Sequence, residues 1–519
     1  MFTTEEDTQL QTKKKILNFK FILGTFFAVS LLGSCAPVTS PSDPTTNPTV
    51  SSPTTNNSAT TDPTTAPSVS NPTIETPEGS INFDIYTIND FHGATQLSDD
   101  YYCEIGLPKM STIFKQFAKE NTSFFLSSGD IFQGTIESNT NRGEYVTRAF
   151  NIMGLDATSI GNHEFDWGVE WITKNAEIAN FPFLGANIKE KSTGYLIEGV
   201  QPSTIIERDG LKVGVIGTIG PAQYNTITYQ YVAEYEFENE YNHVVSQAEY
   251  LRNNGADVVI LAAHDGYNSS DFGILKKDMI DEAKIDMVIA GHTHQKQAST
   301  YTRDDGQIVP LIQAYSSGTA FGHVNFTFDK ETKELALNTY AVENFNTYKN
   351  VEDDPEIVEL YKNNFDVDDL KVEEICEAKN ELSEKTVGII AATAIYEKIR
   401  SMDAYKNYDI VAAFNNDGRS NIEKGMVNFE ELFAALPFDN EIIIYEVSSN
   451  YINRSYYYTQ TGFNKSISYT GKRYVAGIDY IAYKTIDLEA GFRTGLFVRD
   501  IVKEYLQNKK VVTSSDYTN

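Results

Sequence analysis

From residue 81 onward, short apolar runs recur and each gives way to polar residues. The segments INFDIYTIND (81–90), TSFFLSSGD (122–130), ATSIGNHEFDWG (157–168), ADVVILAAHDG (256–266) and IDMVIAGHTHQ (285–295) share this plan. Their apolar positions are continuous rather than alternating, which predicts central strands covered on both faces. Between the first two, LPKMSTIFKQFAKE (107–120) predicts an amphipathic helix. Strands alternating with helices predict an α/β layered domain.

The polar residues cluster where the strands end. Asp90 and His92 follow the first strand, Asp130 the second, Asn162 and His163 the third, His264 the fourth, His292 and His294 the fifth. Ligands of α/β sheets gather beyond the carboxyl ends of strands, so five segments would aim oxygen and imidazole donors at one place. The chain has 7 histidines, and five of them (His92, His163, His264, His292, His294) stand in these clusters. Taken singly, each residue has a plain explanation: Asp90 as a strand-end cap, His264 as a satisfied loop histidine. Their convergence is the argument for chemistry. The other two histidines read differently, His323 as part of a half-exposed strand and His243 as a helix-surface residue. Trp167 and Trp171 read as packing residues, and Tyr101, Tyr102 and Cys103 as a loop at the edge of the clusters.

Imidazole and carboxylate suit divalent Zn, Mn or Fe. An aspartate can bridge two cations, which then sit about 3.5–4 Å apart and hold water in line with a phosphorus centre. One histidine reads as something other than a ligand. In Asn162-His163-Glu164-Phe165-Asp166, the aspartate three residues on can orient His163 and keep it partly protonated. Such an imidazole can stabilise a transition state and protonate a departing alkoxide.

In this order, NDFHG, SSGD, GNHEFDWG, H and AGHTH resemble the calcineurin-like metallophosphatases, and more narrowly the bacterial 5′-nucleotidase, 2′,3′-cyclic phosphodiesterase and UDP-sugar hydrolase family. The resemblance covers most of 81–345 and implies a four-layer sandwich followed by a smaller α/β substrate domain. It also implies two divalent metal ions. One would take Asp90, His92 and His294, the other Asn162, His264 and His292, with Asp130 bridging. His163 and Asp166 would form the catalytic dyad.

Composition places this body in a compartment. The 519 residues are 41% hydrophobic, enough for cores of full size. A formal charge of −30 argues against a binder of DNA or RNA. Lys13, Lys14 and Lys15 precede a short apolar run, Phe21 to Leu32, that reads as a secretory signal rather than a membrane span. It ends in Leu32-Gly33-Ser34-Cys35, which resembles a bacterial lipobox with Cys35 as the lipidated residue. Residues 36–80 are Ser-, Thr-, Pro- and Asn-rich and read as a disordered tether. The expectation is a lipid-anchored protein on the outer face of a bacterial cell membrane.

Residues 346–384 read as a linker, its charged part (361–385) as helical, and 385–519 as the substrate domain. GIIAATAIYEKIR (388–400) predicts an amphipathic helix. The resemblance carries over to 409–447, where Asn415 and Arg419 fall on a nucleotide-binding loop and Phe438 on a base-stacking position. A turn residue, a solvated charge and a core aromatic are the respective alternatives. The resemblance frays here. The glycine loop Asn415-Asn416-Asp417-Gly418-Arg419 is one residue short, Glu381 stands where the family has an arginine, and a late glycine-rich loop is missing. Tyr456, Tyr457, Tyr458, Phe463 or Tyr469 could supply a second stacking face, and Arg473 a phosphate contact.

The leading expectation is a two-metal phosphoesterase that releases nucleoside and phosphate from nucleotides. The alternatives are a 2′,3′-cyclic-nucleotide phosphodiesterase with 3′-nucleotidase activity, a phosphatase of sugar phosphates, and, in another class, a surface binding lipoprotein with a reduced substrate domain.

Overall fold

Two sheets stacked face to face place the candidate residues. The structure, a computed structural model, describes residues 79–97, 104–266, 277–448, 460–462, 472–483 and 491–517. The expected signal peptide, Cys35 and nearly all of the tether lie outside the described residues. So do Tyr101, Tyr102, Cys103, Tyr456, Tyr457, Tyr458, Phe463 and Tyr469. Among the described residues, no helix is long and apolar enough to cross a membrane.

The first sheet has seven strands, in the order Leu335–Asn344, Ala320–Asp329, Ser80–Ile88, Thr122–Ser127, Ala157–Ser159, Phe183–Leu184, Val200–Gln201. From Ser80–Ile88 onward the pairing is parallel. The second has six, in the order Lys296–Thr302, Ile308–Ala314, Met287–Ala290, Val258–His264, Leu211–Ile219, Ser203–Arg208. Its four inner strands are parallel too. Phe83, Ile85, Phe124 and Leu126 of the first sheet pack against Val213, Val258, Ile260 and Ile289 of the second in one buried cluster. Residues on the outer faces join two further clusters under helices. Both faces of each inner strand are therefore dry, which is why their apolar runs are continuous. The layers run helix, sheet, sheet, helix, as expected.

Helix Leu107–Glu120 matches its predicted span. Pro108 in its first turn suits the fixed φ of proline, and Leu107, Met110, Ile113 and Phe114 face the core at helical spacing.

The chain then builds two further sheets. One has five strands, in the order Gln460–Gly462, Ile410–Asn415, Lys472–Ile478, Glu441–Ser448, Gly491–Phe497. The other has three: Gly425–Asn428, Glu374–Ala378 and Val511–Val512. Helices Glu384–Ser401 and Val498–Lys509 share their core. The expected helical segment 361–385 differs. It opens with a wide turn at Tyr361–Phe365 and a short helix at Asp368–Lys371, then becomes strand Glu374–Ala378. Charge made this stretch look like a solvated helix, but Ile375, Cys376 and Ala378 are buried against a paired strand. Cys376 is accordingly a buried thiol.

Candidate active site

The polar strand ends of both sheets meet. Ser127 ends its strand, and the Ser128 carbonyl lies 2.8 Å from His264 Nδ1 of the other sheet, while Ser128 Oγ donates to the Ala290 carbonyl at 2.9 Å. Asp90, Asp130, Asn162 and His264 are buried at this seam, and His294 reaches solvent. His294 Nε2 lies 3.4 Å from Asp90 Oδ1 and 3.0 Å from His92 Nε2. His264 Nε2 lies 3.1 Å from Asp130 Oδ2 and 3.2 Å from Asn162 Oδ1, and His292 Nδ1 lies 2.9 Å from the same Asn162 oxygen. Two groups fit around a cation, Asp90-His92-His294 and Asp130-His264-His292. A third, His92-Asp130-His163, lies between them.

The donor chemistry fits divalent cations. His92 Nδ1 sits 2.9 Å from the Gln133 carbonyl and His264 Nδ1 2.8 Å from the Ser128 carbonyl. Each carbonyl fixes the N–H on Nδ1 and leaves the Nε2 lone pair facing the cluster, an arrangement metal-ligating histidines use. The His264 lone pair then faces the Asn162 oxygen, an acceptor, so positive charge between them is what these atoms require. Where no cation is bound a proton takes its place: burial disfavours charge on His264, yet Asp130, Asp90 and Glu164 outweigh it and push it up to about 10. For Asp130, burial is likewise overcome by His264 and His163, and its carboxyl stays well below its usual range. The carboxylates of the seam thus favour positive charge at its centre.

The backbone is bent to make this seam. Asp90, His92, Asp130, His292 and His294 all have left-handed backbones, with φ of 48°, 52°, 52°, 70° and 51°. Each such residue costs about 1–2 kcal/mol. Compensating bonds hold them: Asp90 N to Gly129 O and His92 N to Asp130 O, both at 3.0 Å, and His292 N to the Asp90 carboxylate at 3.0 Å. Glu164 has a further part, which its place in the motif did not disclose. Its buried carboxylate accepts from Gly161 N (2.6 Å), Ile131 N (2.8 Å) and Asp130 N (2.9 Å), tying the second strand end to the third. Burial and the nearby Asp130 push it up to about 7.

His163 Nδ1 lies 2.8 Å from Asp166 Oδ2, on the short helix His163–Phe165. Burial works against its charge, but Asp166 and Asp130 push it up to about 9. An imidazolium beside the cluster can donate a proton to a leaving oxygen.

A cleft of about 200 Å³ opens beside the dyad. His163, Asp166, Asn162 and His292 line it together with Asn415, Arg419, Phe438 and Tyr480. The Phe438 ring lies 5.9 Å from His163 at 15°, and the Arg419 guanidinium sits 5.0 Å over Phe438. Asn415 also donates to the Asn416 carbonyl at 2.7 Å, so it serves its own turn. Tyr480 was missed by sequence reasoning. It is the second residue beyond strand Lys472–Ile478, on the short helix Asp479–Tyr483, and the strand-end rule that located the histidines points to it as well. Thr226, Thr228 and Asn440 also line the cleft and carried no sequence signal.

Other expectations resolve elsewhere. Arg473 lies 3.3 Å from Asp409 and is not part of the cleft lining. Glu381 accepts from Asn421 at 3.2 Å. His243 pairs with Glu238 at 2.7 Å on a helix surface. Trp167 is buried with Arg142 over its ring, while Trp171 carries Lys174 over its face.

Residues 83–296 match the calcineurin-like phosphoesterase family. The chain is 27% identical over 431 residues to a snake venom 5′-nucleotidase of Naja atra, covering 73% of this chain and 78% of that one. It is 28% identical over 293 residues to a 5′-nucleotidase of Vibrio cholerae, covering 51% and 52%. A 5′-nucleotidase precursor from Thermus thermophilus shares the fold over 83% of this chain and 97% of its own, with a TM-score of 0.63 at 19% identity. The chain thus carries a calcineurin-like phosphoesterase domain and is a phosphoric ester hydrolase homologous to the 5′-nucleotidases.

Proposed function

We propose that the protein hydrolyses nucleotide phosphate esters to nucleoside and phosphate with two divalent cations, outside the cytoplasm and tethered through a lipid on Cys35. The observation that carries this reading is the single cleft lined both by the His163–Asp166 pair and by Asn415, Arg419, Phe438 and Tyr480. A phosphatase indifferent to the alcohol would need no aromatic wall at that distance from its acid.

Asp90, His92 and His294 would hold one cation, and Asn162, His264 and His292 the other, with Asp130 shared. When bound, the cations supply electrostatic stabilisation to the phosphoryl group and acidify water. The chain supplies the rest. Phe438 and Tyr480 are the apolar surfaces for a base, and Arg419 is the exposed cation nearest that wall. His163, oriented by Asp166, delivers its proton to the departing ribose oxygen, and Asp166 stabilises the imidazolium beforehand.

The test is phosphate release by the full chain with Mn or Zn. The panel is AMP, 3′-AMP, 2′,3′-cyclic AMP, UDP-glucose and glucose 6-phosphate. AMP is expected to be the best substrate, with His163→Ala lowering kcat by about 10²–10⁴-fold. Turnover confined to glucose 6-phosphate, or none that depends on His163, would refute the reading.

A further inference from the structure

Behind the cleft, the segment from Gln133 to Arg142 touches both the candidate ligands and the C-terminal sheets. The Gln133 carbonyl holds His92, while its side-chain amide donates to the Pro437 carbonyl at 3.4 Å. Asn139 donates to the same carbonyl at 3.3 Å. Ile136 is buried in the C-terminal core. At the end of the segment Arg142 pairs with Asp439 Oδ2, and the other Asp439 oxygen takes Arg499 at 2.9 Å. Arg499 is only 9% exposed and also donates to the Leu436 and Pro437 carbonyls, both at 2.8 Å. The turn 436–439 is therefore pinned from both sides through the one Asp439 carboxylate, and it carries Phe438.

We propose that Arg142 and Asp439 form a latch that seats the Phe438 turn over His163 and so sets the affinity for the base of a nucleotide. Both are positioning residues, since neither touches the reacting atoms. The inference rests on the nucleotide reading of the cleft. Arg499 cannot do this alone. It belongs to helix Val498–Lys509 of the same C-terminal core as the turn and fixes the turn's shape, whereas Arg142 belongs to the segment that follows Asp130 and fixes its place. A partly buried ion pair of this kind is costly to break from one side, because the abandoned carboxylate keeps its desolvation cost.

The test compares AMP with ribose 5-phosphate, the same ester without a base, in full-length wild type, Arg142→Gln, Asp439→Asn and Arg142→Lys. For AMP, KM is expected to rise about tenfold in Arg142→Gln and Asp439→Asn with kcat nearly unchanged, and Arg142→Lys to recover most of it. For ribose 5-phosphate, kcat/KM should stay within about twofold. Equal losses on both esters, the mark of a merely structural role, overturn the latch, and so does no loss on either. If wild type hydrolyses no nucleotide, the reading of the cleft fails and the latch is read from fluorescence. The Arg142 guanidinium lies 5.6 Å over Trp167. In a Trp171→Phe background, Asp439→Asn should then shift Trp167 emission, and an unchanged spectrum overturns the latch.

Discussion

At Gly161 one methyl group decides whether the site can form. A Cβ there would stand 2.2 Å from Asp130 Oδ1 and 2.6 Å from Asp130 N, and the backbone cannot yield because Glu164 holds Gly161 N and Asp130 N together. Gly161→Ala is expected to give a folded protein whose metal affinity falls by about 10–100-fold, as when an outer-shell group is lost. Metal content after dialysis at limiting Mn or Zn reads this directly. Gly154→Ala controls for general destabilisation: its Cβ meets nothing within 4 Å but its φ of 87° strains any side chain, and it should keep its full metal content. Full metal content in Gly161→Ala would show that Asp130 has room to move. The ligand positions were legible in the sequence because each is a polar residue ending an apolar strand. The bent backbone of Asp90, His92 and Asp130 was not, since φ is chosen by the loops that cross and not by the residue. Thr226, Thr228 and Asn440 escaped for another reason: they matter only through what folds against them.

Among elements, the edge of the seven-stranded sheet is cross-linked by one histidine. His323 on Ala320–Asp329 lies 2.8 Å from Asp84 of Ser80–Ile88 and 3.1 Å from Glu343 of Leu335–Asn344, with its ring stacked on Tyr86 at 4.7 Å. Burial opposes its charge, but the two carboxylates push it from 6.5 to about 9. A raised folded value means the stabilisation is complete below pH 6.5, declines as pH rises from there, and is gone above pH 9. A shift of this size corresponds to about 3 kcal/mol at most. Denaturant unfolding at pH 6 and pH 9.5 should differ by up to that amount, and His323→Gln should flatten the difference. An unchanged slope in His323→Gln would assign the pH dependence to other groups. The strand itself was legible from its pattern, but these partners, 239 and 20 residues away in sequence, were not. Strand Glu374–Ala378 was hidden for the same reason. Its partners are Gly425–Asn428 and Val511–Val512, and without them its charges suggest a helix.

On the scale of the molecule, the candidate ligands join the two stacked sheets. Asp90, His92, Asp130 and Asn162 follow strands of the seven-stranded sheet, and His264, His292 and His294 follow strands of the six-stranded one. Each of the groups Asp90-His92-His294 and Asp130-His264-His292 draws on both. A cation held by either group therefore adds its binding free energy to the sheet–sheet seam rather than to one loop. At a free metal concentration 100 times Kd this amounts to about 2.7 kcal/mol per site. Chelator-stripped protein is expected to melt several degrees lower than protein with Mn or Zn, and Asp130→Ala should abolish most of the difference. Hydrogen exchange distinguishes this from a general effect of the ion. Amides of 128–131 and 264–266 should lose protection on stripping, while those of Ile410–Asn415 and Glu441–Ser448, in the separate C-terminal core, should not. Equal loss in both regions would mean that the metals hold the two halves together as well, and that the segment 133–142 transmits their binding to the C-terminal sheets.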